Sequence, residues 1–284
     1  MAGVLFDGIA YGSLLFLVSL GLSVTMGLMN FVNLAHGAFA MAGGYVCVVA
    51  MTRFGIPFLA TLPLAFVASA AAGAILERVL YRRLYDASHL EQVLFSIGLT
   101  FVAIAGATWL FGSGQQPMTL PHFLRGQWRL AGVDLGVYRL FLVATVAALT
   151  LLLGALVRRT RFGAQVRASV DDARVARGLG IDVDRVFAVT FALGSGLAGL
   201  GGALGVDVLG LDPSYPLKFM VYFLLVVVVG GAGSTRGALA AAIVLGILDV
   251  AGKYYVPQAG AFVIYAAMVA LLVAFPSGIF GRRR

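Results

Sequence analysis

The sequence predicts an all-α fold, a polytopic transmembrane helix bundle with about eight or nine spans. Hydrophobic residues make up 61% of its 284 residues and charged residues 11%, a composition that excludes a soluble domain. About nine windows offer the roughly 20 apolar residues that a helix needs to cross the hydrocarbon core. These windows leave no room for a separate soluble domain, so we expect residues 1–284 to form a single transmembrane domain.

Polar residues, glycines and prolines separate the predicted spans. The first span ends at a break rich in Asn and His, the second at Arg53 and Pro57, and the third at the basic turn 78–83. The segment 112–137 predicts an extramembrane loop. A re-entrant segment at 29–36 would reduce the count from nine to eight. The predicted spans cover about 8–28, 37–52, 58–77, 91–111, 138–157, 186–206, 217–231, 237–255 and 260–279.

The basic residues favour one orientation of these spans. Of the 20 lysines and arginines, 14 lie on the side that holds the charged segment 158–185 and the C-terminus, and six lie on the other. Because basic loops stay in the cytoplasm, we expect this segment and the C-terminus to be cytoplasmic and the N-terminus to lie outside. No Lys or Arg precedes the first apolar run, which argues for a retained span rather than a cleaved signal peptide.

The charged segment between spans five and six carries the signals of a short helix. Ser169 can act as its N-cap, and Asp171 and Asp172 then fall in the first turn, where the helix dipole favours negative charge. Gly178 and Gly180 offer a left-handed stop. The prediction is a helix of about two to three turns, held outside the membrane between two spans.

A narrow apolar stripe and two arginines accompany this predicted helix. Val170, Ala173 and Ala176 recur at spacings of three, and Arg174 and Arg177 lie toward its C-terminal end. A helix of this length is not stable alone and must pack on something. Two interpretations stay open, a solvated basic loop that only fixes topology and a docking element for a cytoplasmic partner.

The most unusual membrane stretch is NFVNLAHGAFAMAGGY, which includes Asn30, Asn33, His36 and Gly37. Asn and His are costly in hydrocarbon unless they are paired, so they usually face a bundle interior or a cavity. Glycines here allow a broken helix, the feature from which transporters build pathways. The stretch is therefore either part of a pathway or its gate, or a packed bend held by hydrogen bonds between helices.

Two glycine-rich stretches bear on nucleotide binding. Gly194, Ser195, Gly196 and Gly199 formally match a dinucleotide fingerprint, but they lie within a span, where small residues at four-residue spacing let helices pack closely. The stretch 230–238 lacks the Gly-Lys-Ser/Thr ending of a P-loop. We therefore expect this chain to bind no ATP by such a motif.

The ionisable residues form no catalytic or metal site that the sequence reveals. Cys47 is the only cysteine and the three histidines are scattered, so we predict no metal, no cofactor and no enzymatic activity. Asp249 and Lys253 stand four residues apart on span eight and can pair on one face. This pair is either structural, at the membrane interface, or part of a proton-coupled carrier with Asp249 as the relay.

Four separated motifs, in register, resemble a known family. In chain order they are NLAHGAFAMAGGY, RASVDDARVARGLGIDVDRVFAVTFALGSGLAGLGGAL, VVVVGGAGSTRGALAAAIVLG and FPSGIFG. From about residue 8 to residue 281, the chain resembles the LivH-type permeases, which are membrane subunits of branched-chain amino-acid ABC importers. The resemblance implies a multi-pass protein of the bacterial inner membrane and makes residues 1–284 one permease domain.

The resemblance also implies partners and roles. The partners are a second related permease subunit, two cytoplasmic ATP-binding subunits and a periplasmic substrate-binding protein, with membrane lipid around them and no nucleic acid. The predicted short helix becomes a coupling helix that seats in a groove of the ATPase. The residues expected to couple are Ser169, Asp171, Asp172, Ala173, Arg174, Arg177, Gly178 and Gly180, and those expected to line the pathway or its gate are Asn30, Asn33, His36 and Gly37.

The sequence therefore predicts a permease subunit of an ATP-driven importer, with ATP hydrolysis on separate subunits and branched-chain amino acids as the substrate. The same resemblance covers carriers of urea and short amides, and the quoted motifs do not separate these substrates. The alternative of another class is a proton-coupled secondary transporter that works alone through Asp249. An intramembrane enzyme would need a nucleophile and base on one element, and the sequence shows no such pair.

Overall fold

The computed structural model describes residues 1–29, 31, 33–85, 87–130, 133–275 and 278–279. Within these ranges the chain forms eleven α-helices, two short 3-10 helices and one β-hairpin. The α-helices are α1 (Ala2–Met29), α2 (His36–Phe54), α3 (Phe58–Val79), α4 (His89–Phe111), α5 (Val137–Arg159), α6 (Arg161–Asp171), α7 (Ala173–Gly178), α8 (Val183–Leu209), α9 (Tyr215–Gly230), α10 (Thr235–Tyr255) and α11 (Gly260–Ala274). The 3-10 helices are Tyr81–Leu84 and His122–Leu124, and the strands are β1 (Gln127–Leu130) and β2 (Val133–Gly136).

The nine predicted spans coincide with nine apolar helices. In the described ranges, seven helices are long and apolar enough to cross a membrane, namely α1 to α5, α8 and α10. Helices α9 and α11 are apolar but shorter. The prediction of an all-α, polytopic transmembrane bundle is confirmed.

Contacts between the helices define two ends of the bundle. At one, which we call the Asp7 end, Asp7 near the start of α1 forms an ion pair with Arg139 near the start of α5. At the other, the Gly27 end, Gly27 packs against Gly233 just before α10 begins. Met29, the last residue of α1, packs against the apolar cluster formed by α6, α7 and the start of α8. The charged segment therefore lies at the Gly27 end, opposite the start of α5.

Helix α8 is the centre of the bundle and packs against α1, α2 and α3. Its residues from Gly194 to Val206 are all buried. Glycines allow the neighbouring backbones to approach, since a Cβ added at Gly194 would lie 3.2 Å from the Gly21 backbone, and one at Gly196 would lie 3.0 Å from the Cβ of Ala70. The packing role predicted for this glycine-rich stretch is thus confirmed by its contacts.

Two helices begin inside the bundle rather than at its ends. His36, the first residue of α2, contacts Val18, although α1 continues for another eleven residues to Met29. At about 1.5 Å per residue, α2 therefore starts roughly 16 Å short of the end of α1. A Cβ added at Gly37 would lie 3.0 Å from the Cα of Pro216, so the start of α9 abuts the start of α2. The sequence leaves open whether residues 29–36 form a turn or a re-entrant segment. In the structure, the chain folds back between α1 and α2.

A short β-hairpin follows α4 in the segment that the sequence predicts as a loop. Strands β1 and β2 pair antiparallel, with Trp128 opposite Leu135 and Arg129 opposite Asp134. Trp128 is exposed, and an ion pair joins Arg129 to Asp134 at 3.6 Å. The hairpin is a small local exception to the all-α prediction, and it precedes α5 at the Asp7 end.

Candidate functional site

The charged segment folds as two helices rather than the one that the sequence predicts. Ser169 is not an N-cap, because it lies inside α6 and is buried. Helix α6 starts earlier, at a cap in which the Thr160 hydroxyl accepts a hydrogen bond from the Gly163 amide at 3.1 Å. Asp171 is the last residue of α6 and not part of a first turn. The N-cap predicted at Ser169 thus lies three residues before Asp172, the actual N-cap of the second helix.

Asp172 is the residue that caps the second helix, α7. Its Oδ1 accepts hydrogen bonds from the amides of Arg174 at 2.8 Å and Val175 at 3.0 Å. These two amides hold the pKa of the Asp172 carboxyl below its ordinary value. Asp172 has extended backbone and accepts hydrogen bonds from two amides at the start of α7. Ser169 cannot take this role, because its own backbone is part of α6.

The predicted left-handed stop is confirmed at Gly180, which has a φ of +83°. The Gly180 amide donates to the Arg177 carbonyl at 3.0 Å, and the Ile181 amide donates to the Ala176 carbonyl at 3.1 Å. This pair of bonds is the Schellman arrangement that ends a helix. Gly178, the other predicted stop, is the last residue of α7 itself.

Helix α7 presents a mixed apolar and basic surface to the outside of the bundle. Ala176 is buried against α6 and α8, and Ala173 packs at the edge of the same cluster. Val175 and Leu179 are exposed, and so is Arg174. Val170, which the sequence assigns to the apolar stripe, is exposed rather than packed. Three apolar side chains in this segment, Val170, Val175 and Leu179, are therefore uncovered. We call Val170, Arg174, Val175 and Leu179 the α7 surface.

An acidic residue links α7 to the membrane helices. Asp184, in the first turn of α8, pairs with Arg177 of α7 at 3.2 Å and with Arg82 at 2.5 Å. Arg82 belongs to the 3-10 helix that follows α3. Asp184 therefore links α7 and the start of α8 to the turn that follows α3. None of the sequence signals pointed to this triple contact.

The polar stretch before α2 is buried and hydrogen-bonded. Asn33 accepts on Oδ1 a hydrogen bond from the Tyr81 hydroxyl at 2.9 Å and another from the Ala35 amide at 3.0 Å. The His36 ring donates from Nε2 to the Val18 carbonyl at 2.8 Å, which fixes the tautomer that carries the proton on Nε2. Asn30 lies outside the described residues. The predicted placement of this stretch in the protein interior is confirmed for the described residues Asn33 and His36.

A narrow crevice lies beside the polar stretch, where α1, α2 and α9 meet. In this structure it is too narrow to admit a water molecule. The lining combines polar groups of the α2 start with apolar side chains of α1 and α9, namely Leu22, Asn33, Leu34, His36, Gly37, Met220, Phe223 and Leu224. The crevice thus brings together three of the four residues that the sequence assigned to a pathway or gate.

Comparison with known proteins adds a family to this geometry. A family profile described as "Branched-chain amino acid transport system / permease component" matches residues 4–272, nearly the whole chain. The chain belongs to this permease family. LivH of Escherichia coli (strain K12), named as a high-affinity branched-chain amino acid transport system permease protein, is 29% identical over 98% of this chain and 94% of the relative. BraD of Pseudomonas aeruginosa, which bears the same kind of name, is 27% identical over 98% of this chain and 95% of the relative.

This permease is also similar to a second named type of branched-chain amino acid transport permease protein. LivM of Salmonella typhimurium is 27% identical over 81% of this chain and 59% of the relative. No solved structure matches the chain. The permease is therefore a multi-pass membrane protein of a transport family.

The sequence alone missed several residues of the permease's interior network. Tyr81 is completely buried and donates to Asn33, and Tyr85 donates to the buried carboxylate of Glu77. The Tyr85 ring packs edge-on against Phe187 of α8, with ring centroids 5.7 Å apart. The motif YRRLY signals only a basic turn, because the pairing of its tyrosines depends on helices that are distant in sequence.

Proposed function

We propose that this permease is the transmembrane subunit of an ATP-driven importer of branched-chain amino acids, in a bacterial inner membrane. The observation that carries the proposal is membership of the permease family together with the α7 surface, whose exposed apolar and basic side chains need a partner. The relatives LivH and BraD are named for branched-chain amino acid transport, which supports the same substrate here. Urea and short amides are the alternative substrates to exclude.

The proposed assembly has four kinds of component. Similarity to both LivH and LivM supports a second, related permease as the partner within the membrane. Two cytoplasmic ATP-binding subunits would seat against α7, and a periplasmic substrate-binding protein would deliver the amino acid. The excess of basic residues on the side of α6 and α7 supports a cytoplasmic C-terminus and an N-terminus outside.

The proposed mechanism passes movement from α7 to the crevice. When the ATP-binding subunits close, they displace α7, and the Asp184 contacts with Arg177 and Arg82 carry the displacement to α8 and to the end of α3. Tyr81, next to Arg82, donates to Asn33 at the crevice wall. The two states must differ in their contacts with nucleotide and substrate, because a ligand shifts an equilibrium only through differential binding.

Within this mechanism, each proposed coupling residue has a position that suits it. Asp172 and Gly180 fix the two ends of α7, and Arg177 carries its connection to Asp184. Ala173 and Arg174 lie in its first turn, next to the exposed Val175. Ser169 and Asp171 belong to α6 and would support α7 rather than contact the ATPase. Gly178 ends α7 before the exposed Leu179.

Affinity purification of the chain from its native membrane tests the assembly. We expect a P-loop ATPase and a second permease to be recovered with it, and Leu179→Glu to reduce recovery of the ATPase by introducing charge into the α7 surface. Phe123→Glu is the matched control, because Phe123 is also exposed and apolar but lies in the connection between α4 and α5 at the Asp7 end. A wild-type chain recovered alone, folded and transporting under a pH gradient, would favour the proton-coupled carrier instead.

A further inference from the structure

A buried acid lies outside the crevice, on α10. Asp249 is 1% exposed, and its Oδ2 accepts from the Lys253 ammonium at 2.5 Å. Its other oxygen, Oδ1, is also buried and has no hydrogen-bond partner among the described residues. A buried carboxylate oxygen without a partner is costly, so a donor from outside the described residues would relieve an unmet hydrogen bond at this atom.

Four tyrosines from three other helices lie near this acid or near one another. Tyr11 of α1 and Tyr222 of α9 lie close enough to Asp249 to interact with it electrostatically, and Tyr11 is likewise close to Tyr215 and Tyr265. The rings of Tyr222 (α9) and Tyr265 (α11) have centroids 6.3 Å apart. The Tyr215 hydroxyl is buried and, like Asp249 Oδ1, has no hydrogen-bond partner in the described ranges. We call Asp249, Lys253 and these four tyrosines the tyrosine–carboxylate cluster.

Lys253 connects the cluster to the outside of the bundle. Its ammonium lies 5.7 Å from the centroid of the Tyr11 ring, and its side chain is 51% exposed. Asp249 stands six residues before the end of α10, which is about 9 Å along the helix. Gly8, close to Asp7, packs against Ile247 in the same part of α10, so the cluster lies toward the Asp7 end.

One residue of the cluster lies next in sequence to a residue of the crevice wall. Tyr215 is the first residue of α9, and the next residue, Pro216, packs against Gly37 at the crevice wall. The unpartnered Tyr215 hydroxyl therefore belongs to the residue that adjoins this junction of α9 and α2.

We propose that the tyrosine–carboxylate cluster is an entry site for the zwitterionic head group of an α-amino acid, a proposal that rests on the proposed function. The substrate ammonium would donate to Asp249 Oδ1, and the substrate carboxylate would accept from the Lys253 ammonium. The aliphatic side chain would pack against the rings of Tyr11, Tyr222 and Tyr265. Such a site requires one positive and one negative group on the same small molecule, so urea and short amides do not satisfy it.

Substitutions that preserve size test the site in the assembled transporter. We expect Asp249→Asn and Lys253→Met each to raise the leucine concentration for half-maximal uptake by about tenfold or more, because each removes a charge-assisted hydrogen bond to the substrate. Lys218→Met is the matched control, since Lys218 forms a comparable ion pair with Asp212 outside the cluster and is similarly exposed. Unchanged half-maximal uptake in both cluster variants would overturn the proposal.

The double variant Asp249→Asn with Lys253→Met separates a substrate site from a structural ion pair. Removing both partners of a buried pair leaves no unpaired charge, so a merely structural pair predicts recovery of uptake. Our proposal instead predicts an assembled complex with normal recovery of its partners and persistently weak leucine uptake. Recovery to the wild-type half-maximal concentration would overturn it.

Photo-crosslinking of the wild-type complex gives a second readout that does not depend on folding of a variant. A diazirine analogue of leucine should label peptides that contain Tyr11, Tyr222 or Tyr265, and excess leucine should suppress the labelling. Labelling confined to other parts of the chain would overturn the entry site. Failure of the wild-type complex to transport leucine at all would contradict the proposed function rather than the location of this site.

Discussion

The Tyr81 hydroxyl donates a hydrogen bond to Oδ1 of Asn33 at 2.9 Å, across 48 residues of sequence. This bond joins the 3-10 helix after α3 to the segment that leads into α2. Phe31 packs edge-on against the same tyrosine ring, with centroids 5.3 Å apart. The wall of the crevice is thus attached to the basic turn that also contacts α8 through Arg82 and Asp184.

Tyr81→Phe removes this hydrogen bond and leaves the packing of the ring intact. We expect a loss of about 1 kcal/mol in stability, the usual net contribution of one buried hydrogen bond, and a several-fold slower uptake. Thermal unfolding of the purified permease and initial uptake rates measure the two effects. Tyr254→Phe, at an exposed tyrosine, is the control and should change neither. An unchanged uptake rate in Tyr81→Phe would contradict a role for this bond in the transport cycle.

Asp184→Asn weakens two ion pairs, the one that connects α7 to α8 through Arg177 and the one that connects α8 to Arg82. We expect uptake to fall while the assembled complex continues to hydrolyse ATP, because the ATPase would still bind α7 but the ionic link from α7 through Asp184 to Arg82 would be weakened. The ratio of leucine transported to ATP hydrolysed is the measurement. Asp134→Asn, which breaks the Arg129 pair in the hairpin at the opposite end, should leave that ratio unchanged. Equal ratios in the two variants would exclude Asp184 from coupling.

Gly202→Ala tests the close packing of α8. The added Cβ would overlap the backbone carbonyl of Ala40, which cannot move out of the way as a side-chain end can, so we expect a loss of about 1–3 kcal/mol. Gly106→Ala in α4 meets no atom of the described residues within 4 Å, and should be neutral or slightly stabilising because alanine favours helix. The yield and melting temperature of the two proteins provide the comparison. Equal melting temperatures would contradict the packing described for α8.

Asp172→Ala removes the cap of α7 and should accelerate amide hydrogen exchange in residues 173–178. Asp172→Asn should retain most of the protection from exchange, because Asn caps a helix nearly as well as Asp. The pKa of Asp172 is lowered in the folded chain, so its stabilising contribution is present above the ordinary Asp range and is lost as the pH falls through the lowered value. Protection of α7 should therefore be constant near neutral pH. Identical exchange in the alanine variant would show that α7 does not depend on this cap.

Hydrophobicity alone is enough to predict the spans, because a membrane helix requires some 20 apolar residues in a row. The start of α7 was placed wrongly, since Ser169 and Asp172 are both good caps and only the preceding helix, begun at Thr160, decides between them. The left-handed stop at Gly180 was predicted correctly from local chemistry. Contacts such as Tyr81 with Asn33 and Asp184 with Arg82 join distant parts of the chain, and no local pattern encodes them.

Leucine uptake into proteoliposomes tests the central claim most directly. The vesicles would contain the complex purified with this permease. The substrate-binding protein would be added on the side that receives the substrate, and ATP would be supplied on the side of the ATP-binding subunits. We predict uptake that requires ATP and is unaffected when a protonophore collapses the pH gradient, with Asp184→Asn reducing it. Uptake by the single chain without ATP, driven by a pH gradient and abolished by the protonophore, would contradict an ATP-driven permease and support a proton-coupled carrier.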